Sequence, residues 1–140
     1  MDRRVVVTGV GLVSAVGIGR EETWSCILAG KNGAAPITLF DTTDFPVTFA
    51  AEVKSFDPLQ YVEKREVKKM GRFIQFALAA SQFAVEHAGL KISPDIADRT
   101  GVYIGSGIGG FDVIEREHTA LMQGGRAASP PSSFPRRLST

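Results

Sequence analysis

Residues 72–88, RFIQFALAASQFAVEHA, form the most strongly periodic stretch of this 140-residue sequence. Apolar side chains recur at i, i+3, i+4 and i+7 on a face that begins at Phe73, and a second apolar face begins at Ile74. The polar strip that remains is narrow and consists of Gln75, Gln82 and Glu86. A helix that is apolar nearly all round packs on more than one side, so this stretch predicts a helix covered by another layer or by another subunit.

Three short apolar runs alternate with three helical patterns along the chain. The runs cover residues 4–11, 47–53 and 100–107, and the helical patterns cover residues 20–30, 72–88 and 111–125. This alternation predicts an α/β fold with a mostly parallel sheet. In the first helical pattern, the apolar stripe consists of Trp24, Ile27 and Leu28.

Two glycine-rich loops raise the question of nucleotide binding. In residues 101–110, GVYIGSGIGG, Gly105, Gly107 and Gly110 fit the dinucleotide-binding pattern G-x-G-x-x-G, whereas residues 5–17, VVVTGVGLVSAVG, lack the third glycine. A nucleotide site also needs an acidic residue about 20 positions further on, and neither loop has one. The sequence therefore favours a structural reason for these glycines: close packing of backbones, or turns with positive φ.

The composition is that of one ordinary globular domain, with 44% apolar and 22% charged residues. The formal net charge of +1 gives no general attraction to nucleic acid or anionic membrane, so a charged partner requires a local patch. No apolar run approaches the roughly 18–20 residues of a membrane span. The single cysteine, Cys26, excludes an intramolecular disulfide and a cysteine-rich metal site. We expect a cytoplasmic protein.

Three separated segments carry a family resemblance. They are RRVVVTGVGLVSAVG at the start, KKMGRFIQFALAASQFAVEHAGL in the middle and GVYIGSGIGGFDVIEREHTALMQGG near the end. In order and spacing, over residues 3–130, they resemble the amino-terminal part of β-ketoacyl-acyl carrier protein synthases, most closely the elongating type II enzymes of fatty acid synthesis. Polyketide ketosynthases share much of the pattern and are the alternative.

The resemblance implies a thiolase-like fold of α/β/α/β/α layers in a homodimer, of which this chain is part of the first α/β half. It implies an acyltransferase that condenses an acyl thioester with malonyl-carrier protein, with acyl carrier protein as partner and without cofactor or metal. It also implies that the family's catalytic cysteine and both histidines fall beyond residue 140, so that this chain has no catalytic residue and is inactive alone.

A basic cluster is the candidate partner-binding site. It consists of Lys64, Arg65, Lys68, Lys69 and Arg72. Spacings of three and four are expected to place Lys64 (or Arg65), Lys68 and Arg72 along one helix face. The resemblance implies a dock for the acidic carrier protein, and the alternative is an ordinary solvated charged face.

The resemblance also implies that the second glycine loop supports the dimer or the active site. The residues are Gly105, Gly107, Gly109, Gly110, Phe111 and His118. His118 lies on an apolar stripe three residues after Glu115, which predicts a hydrogen-bonded interface or core histidine. His87, in the last turn of its helix, is expected to cap it or to be solvated, and Cys26 is expected to have a packing role.

The end of the sequence departs from the family pattern. After residue 130 it becomes PSSFPRRLST, a composition rich in Pro, Ser and Arg without periodicity. We predict a synthase segment over residues 1–130 and a divergent, disordered tail over residues 131–140, as a truncation or a reading-frame change would leave. A non-catalytic module that keeps carrier-protein or dimer contacts is the second hypothesis, and missing layers are expected to leave apolar surface exposed.

Overall fold

The computed structural model describes residues 3–124 of the chain. The helices are α1 (Arg20–Leu28), α2 (Lys64–Val67), α3 (Arg72–Ala88), α4 (Pro94–Ala97) and α5 (Phe111–Gly124), with a 3-10 helix at Pro58–Gln60. The strands are β1 (Val13–Ser14), β2 (Gly17–Ile18), β3 (Ala35–Pro36) and β4 (Phe49–Ala50). The predicted tail at residues 131–140 lies outside the described residues.

Helix α3 has the bounds that its periodicity predicts, and it is the element on which the other segments pack. It ends at Gly89, whose φ of 60° is left-handed and favours glycine. Ala79 is fully buried, and Gln75 is also buried. Gln75, one of the three residues of the narrow polar strip, therefore uses its amide inside the fold.

The amino-terminal segment crosses α3 at very short range. A Cβ atom on Gly9 would lie 2.1 Å from the carbonyl oxygen of Ala84, and one on Gly11 would lie 1.9 Å from that of Ala80. Real Cβ atoms do not approach a backbone oxygen so closely, so only glycine fits at these two positions. The structural explanation of the first glycine loop is confirmed.

The predicted parallel sheet is not formed within residues 3–124. Two antiparallel ladders of two residues per strand occur there, with β1 paired to β2 and β3 paired to β4. Residues 4–11 and 100–107 form no strand in the described range, and Val5 and Tyr103 are 92% and 99% exposed. The reason is physical: an apolar run becomes a strand only when a neighbour accepts its hydrogen bonds.

Helix α1 packs through a face other than its apolar stripe. Thr23 and Cys26 are its buried residues, whereas Trp24, Ile27 and Leu28 are exposed. The β1–β2 hairpin covers the buried face, where the Thr23 hydroxyl donates to the carbonyl oxygen of Gly17 at 3.1 Å. The stripe therefore does not identify the side of α1 that packs within the described part of the chain. The packing role predicted for Cys26 is confirmed, since it is 6% exposed.

Helix α5 begins where the sequence predicts and carries no buried residue. Its apolar side chains Phe111, Ile114, Leu121 and Met122 are all exposed. The expected exposed apolar surface is thus present, on α5 and on the extended segments. Among the described residues, no helix combines the length and the apolar character needed to cross a membrane.

Candidate functional site

The basic cluster lies on two helices joined by a turn. Helix α2 ends at Val67, and the chain turns at Gly71, whose ψ of 156° is extended, before α3 begins at Arg72. The prediction that Lys64, Lys68 and Arg72 share one helix face is wrong, because this turn interrupts the helix between them. Lys64 and Arg65 lie in α2, Lys68 and Lys69 lie in the turn that follows, and Arg72 is the first residue of α3.

Two of the five cations are paired with neighbouring glutamates. The Nε of Arg65 lies 2.7 Å from a carboxylate oxygen of Glu63, and the Nζ of Lys69 lies 2.9 Å from a carboxylate oxygen of Glu66. The hydrogen bond from Lys69 and the nearby Arg65 charge lower the pKa of Glu66. Such exposed pairs contribute little to stability, but each offsets a positive charge at the surface.

Lys64 and Lys68 are exposed, as are the other three cations of the cluster. Within the part of the chain that the structure describes, neither of them takes part in an ion pair or a side-chain hydrogen bond. Their ammonium groups are therefore available to an acidic partner without first leaving a carboxylate.

Arg72 is exposed, but its guanidinium is held by contacts with the fold. Its Nη2 donates to the carbonyl oxygen of Val53 at 2.6 Å. Its guanidinium carbon lies 5.1 Å from the ring centroid of Phe76 and 5.9 Å from that of Phe56, which are cation–π distances. Arg72 thus joins the start of α3 to the segment after β4.

A cluster of aromatic rings anchors the segment that precedes α2. Phe56 and Tyr61 stack at 5.4 Å between centroids, and Phe56 meets Phe76 edge-on at 4.9 Å. Tyr61 meets Phe83 edge-on at 5.3 Å. Each such contact adds about 0.5–1.5 kcal/mol beyond burial. These contacts hold the segment before α2 against α3, so Lys64 and Lys68 follow an ordered segment of the chain.

Gln75 holds the turn between α2 and α3 in place. Its Nε2 donates to the carbonyl oxygens of Val67 and Met70, each at 3.2 Å. These carbonyls, at and after the end of α2, have no partner within that helix. Sequence reasoning missed this role, since a polar residue in a periodic helix is ordinarily assigned to the solvated side.

The second glycine loop differs from its prediction along its length. Gly109 and Gly110 have φ values of 59° and 63° and face the ring of Phe73, so the predicted glycine turn into α5 is confirmed there. At Gly105 and Gly107 a Cβ would meet nothing within 4 Å. The expected close packing is therefore wrong at these two positions within the described structure.

The two histidines lie at the surface. His118 is exposed, and no hydrogen bond or ion pair joins it to Glu115 in the described range, so it is not a core histidine there. The Nδ1 of His87 accepts the backbone N–H of Val10 at 2.9 Å, and its Nε2 contacts Arg20. His87 thus fastens the amino-terminal segment to the end of α3, a role that its position in the last turn did not predict.

Glu52 organises the loop between β3 and β4. Its carboxylate accepts the backbone N–H of Thr38 at 2.9 Å and the Thr38 hydroxyl at 2.7 Å, and it accepts the N–H of Leu39 at 3.3 Å. The hydrogen bonds from Thr38 lower the pKa of Glu52 below its ordinary value. Across residues 3–124, no group of three or more metal-ligating side chains is assembled.

Solved structures with a similar fold are ketosynthases. The ishigamide ketosynthase/chain length factor matches 93% of this chain with a TM-score of 0.74 and 35% identity. The structure of AntDE:AntF, a type II PKS acyl-carrier protein in complex with its ketosynthase bound to the hexaketide, contains a chain that matches 91% of this one with a TM-score of 0.69 and 25% identity. The predicted α/β fold class, part of a ketosynthase fold, is confirmed.

Residues 2–136 match the family described as beta-ketoacyl synthase, N-terminal domain, and the chain therefore belongs to this family. Curated relatives named 3-oxoacyl-[acyl-carrier-protein] synthase 2 are 49% identical in Vibrio cholerae, 44% in Coxiella burnetii and 42% in Synechocystis. These matches cover 91–95% of this chain but only 31–32% of each relative. The chain spans about a third of the length of these relatives.

Proposed function

We propose that the protein is the amino-terminal part of a β-ketoacyl-acyl carrier protein synthase of fatty acid synthesis. In that reaction malonyl-carrier protein loses carbon dioxide, and the resulting carbanion attacks an acyl thioester, forming a carbon–carbon bond and releasing the thiol. The 42–49% identity to relatives named 3-oxoacyl-[acyl-carrier-protein] synthase 2, over 129–133 residues, is the observation that carries this proposal. The cytoplasm is the compartment we expect.

A polyketide ketosynthase is the second candidate. The solved ketosynthases support it, with 25–35% identity over nearly the whole chain. The higher identity to the synthase 2 relatives favours fatty acid synthesis over this alternative.

The part of the function that we assign to this chain is recognition of acyl carrier protein. Lys64 and Lys68 supply the exposed positive charge, Arg65 and Lys69 exchange their glutamate partners at the interface, and Arg72 with Gln75 holds the segment in place. A local patch on a chain of net charge +1 suits a weak, salt-sensitive complex with an acidic protein. Cys26 is buried, so we do not assign it as a nucleophile.

Titration calorimetry of the 140-residue chain with a type II acyl carrier protein tests this assignment. Lys68→Glu is expected to weaken binding roughly tenfold at low salt, with less effect near 0.5 M salt because charges are screened there. Lys91→Glu is the matched control, since Lys91 is also exposed but follows the other end of α3, a helix roughly 25 Å long. Equal loss of affinity in both variants would contradict docking at this segment.

Product formation separates the enzyme from the non-catalytic module. We expect the 140-residue chain to bind carrier protein but to release no 3-oxoacyl product from acyl- and malonyl-carrier protein. Product release by this chain would contradict the absence of a catalytic residue from it.

We further propose that the second glycine loop and α5 contribute to a homodimer. The support is the exposed apolar side of α5, which includes Phe111 beside the turn at Gly109 and Gly110. His118 and the open positions Gly105 and Gly107 would then lie against the partner subunit. Sedimentation velocity tests this: Phe111→Asp is expected to shift a dimer to monomer, and unchanged dimerisation would contradict the assignment.

A further inference from the structure

A groove of about 540 Å³ opens between the β3–β4 loop and the start of α3. Its apolar wall includes Leu39, Val53 and Phe76, and two cationic side chains, Lys54 and Arg72, border it. Arg72 also bonds to the carbonyl oxygen of Val53, the residue before Lys54, so both cations belong to one continuous surface.

Hydrogen bonds hold the acidic group of this groove in place beside Lys54. The carboxylate of Glu52 is the acidic group there, and its oxygens accept the bonds from Thr38 and Leu39 described above. The Nζ of Lys54 lies 3.7 Å from that carboxylate, and the Lys54 side chain is 52% exposed. Because Glu52 is occupied by stronger hydrogen bonds, Lys54 can turn toward an incoming acidic group without leaving a carboxylate unpaired.

The groove continues the basic cluster. Arg72 is the last cation of that cluster and the first residue of α3, and it forms one border of the groove. Arg72 thus belongs both to the basic cluster and to the border of the groove, where Lys54 is the second cation.

We infer that this groove extends the carrier-protein dock and that Lys54 is a further contact residue. The occupant is an acidic surface of the carrier protein, with carboxylates against Lys54 and Lys68 and one apolar side chain in the depression beside Leu39 and Phe76. The inference rests on the proposed function, because it names a second part of the same binding surface.

Calorimetric titration with a type II acyl carrier protein tests the role of Lys54. Lys54→Glu is expected to weaken binding roughly fivefold at low salt, and Lys54→Gln about twofold, since it removes the charge without placing a second acid beside Glu52. Circular dichroism of Lys54→Gln verifies that the fold is retained. Lys91→Glu again gives the effect of a charge change on a remote surface.

The possible outcomes distinguish the inference from the proposed function. Weaker binding by both Lys54 variants and by Lys68→Glu, with Lys91→Glu unchanged, supports the extended dock. Loss of affinity in Lys68→Glu alone overturns the extension and leaves the docking assignment intact. If wild-type chain fails to bind carrier protein, the extension and the docking assignment both fail.

Discussion

The two glycine-rich loops have similar sequences and opposite surroundings. In the first, Gly9 and Gly11 lie so close to α3 that a single added carbon would meet its backbone. In the second, Gly105 and Gly107 face open space, whereas Gly109 and Gly110 meet the ring of Phe73 and Gly109 also meets the Ser106 hydroxyl. Similar glycine patterns can therefore have different structural causes. In the first loop the cause is close packing against a helix, and in the second it is a turn with positive φ.

The contrast also explains why neither loop needs a phosphate to account for its glycines. The first loop places its backbone against a helix side. The second uses two left-handed residues to redirect the chain into α5.

Substitution of one glycine in each loop is the strongest way to break the comparison. Gly11→Ala is expected to destabilise the chain by about 3 kcal/mol or more, because the new Cβ would lie 1.9 Å from the carbonyl oxygen of Ala80. Gly107→Ala is expected to change the free energy of unfolding by less than about 0.5 kcal/mol. Urea denaturation of both variants measures the difference, and equal values would show that the loops do not differ as described.

A smaller effect is expected at the turn into α5. Gly110→Ala must hold an L-residue at a φ of 63° and place its Cβ 3.1 Å from the Phe73 ring. The left-handed conformation alone costs about 1–2 kcal/mol. The loss of unfolding free energy measured by urea denaturation should lie between those of Gly11→Ala and Gly107→Ala. No loss would contradict the strain expected at this turn.

Neither glycine loop contains a carboxyl group, so neither is expected to contribute to the loss of stability in acid. Glu52, in a third region, has a lowered pKa, so its hydrogen bonds stabilise the fold above the ordinary glutamate pKa of roughly 4.3. That contribution is lost as the pH falls through the lower folded-state pKa. We expect Glu52→Gln to lower stability at pH 7 and to reduce its loss between pH 6 and pH 3.5.

The exposed Glu115 provides the reference for this measurement. Urea midpoints of Glu115→Gln should follow wild type over the same pH range. A Glu52→Gln profile that stays parallel to wild type would show that Glu52 does not contribute to the acid response.

The sequence predicts those elements whose pattern and neighbours are local. The bounds of α3 follow from its periodicity and from Gly89, and the start of α5 follows from the glycine pair before it. The buried side of α1 could not be predicted from apolar spacing, because its buried residues are Thr23, which bonds to Gly17 of the β1–β2 hairpin, and Cys26. Strand formation at residues 4–11 and 100–107, which the apolar runs predict, depends on partners distant in sequence that a local pattern does not contain.

The candidate site shows the same limit. The five basic residues are evident in the sequence, but their division into paired, available and structural groups depends on Glu63, Glu66 and the rings beneath Arg72. Gln75 gives no signal of its own, since its partners are backbone carbonyls of a turn. The family resemblance supplies a function for the cluster, whereas the contacts single out Lys64 and Lys68 as its available charges.

Arg72 has a consequence for redesign of this surface. Because its guanidinium lies against two rings and bonds to Val53, a change of partner specificity made by exchanging surface charges must leave this position untouched. Lysine at residue 72 would keep the charge but lose the planar group that stacks on the rings. Partner specificity can be changed at Lys64 and Lys68 without loss of packing contacts. A substitution at Arg72 would change the recognition surface and the stability of the fold together.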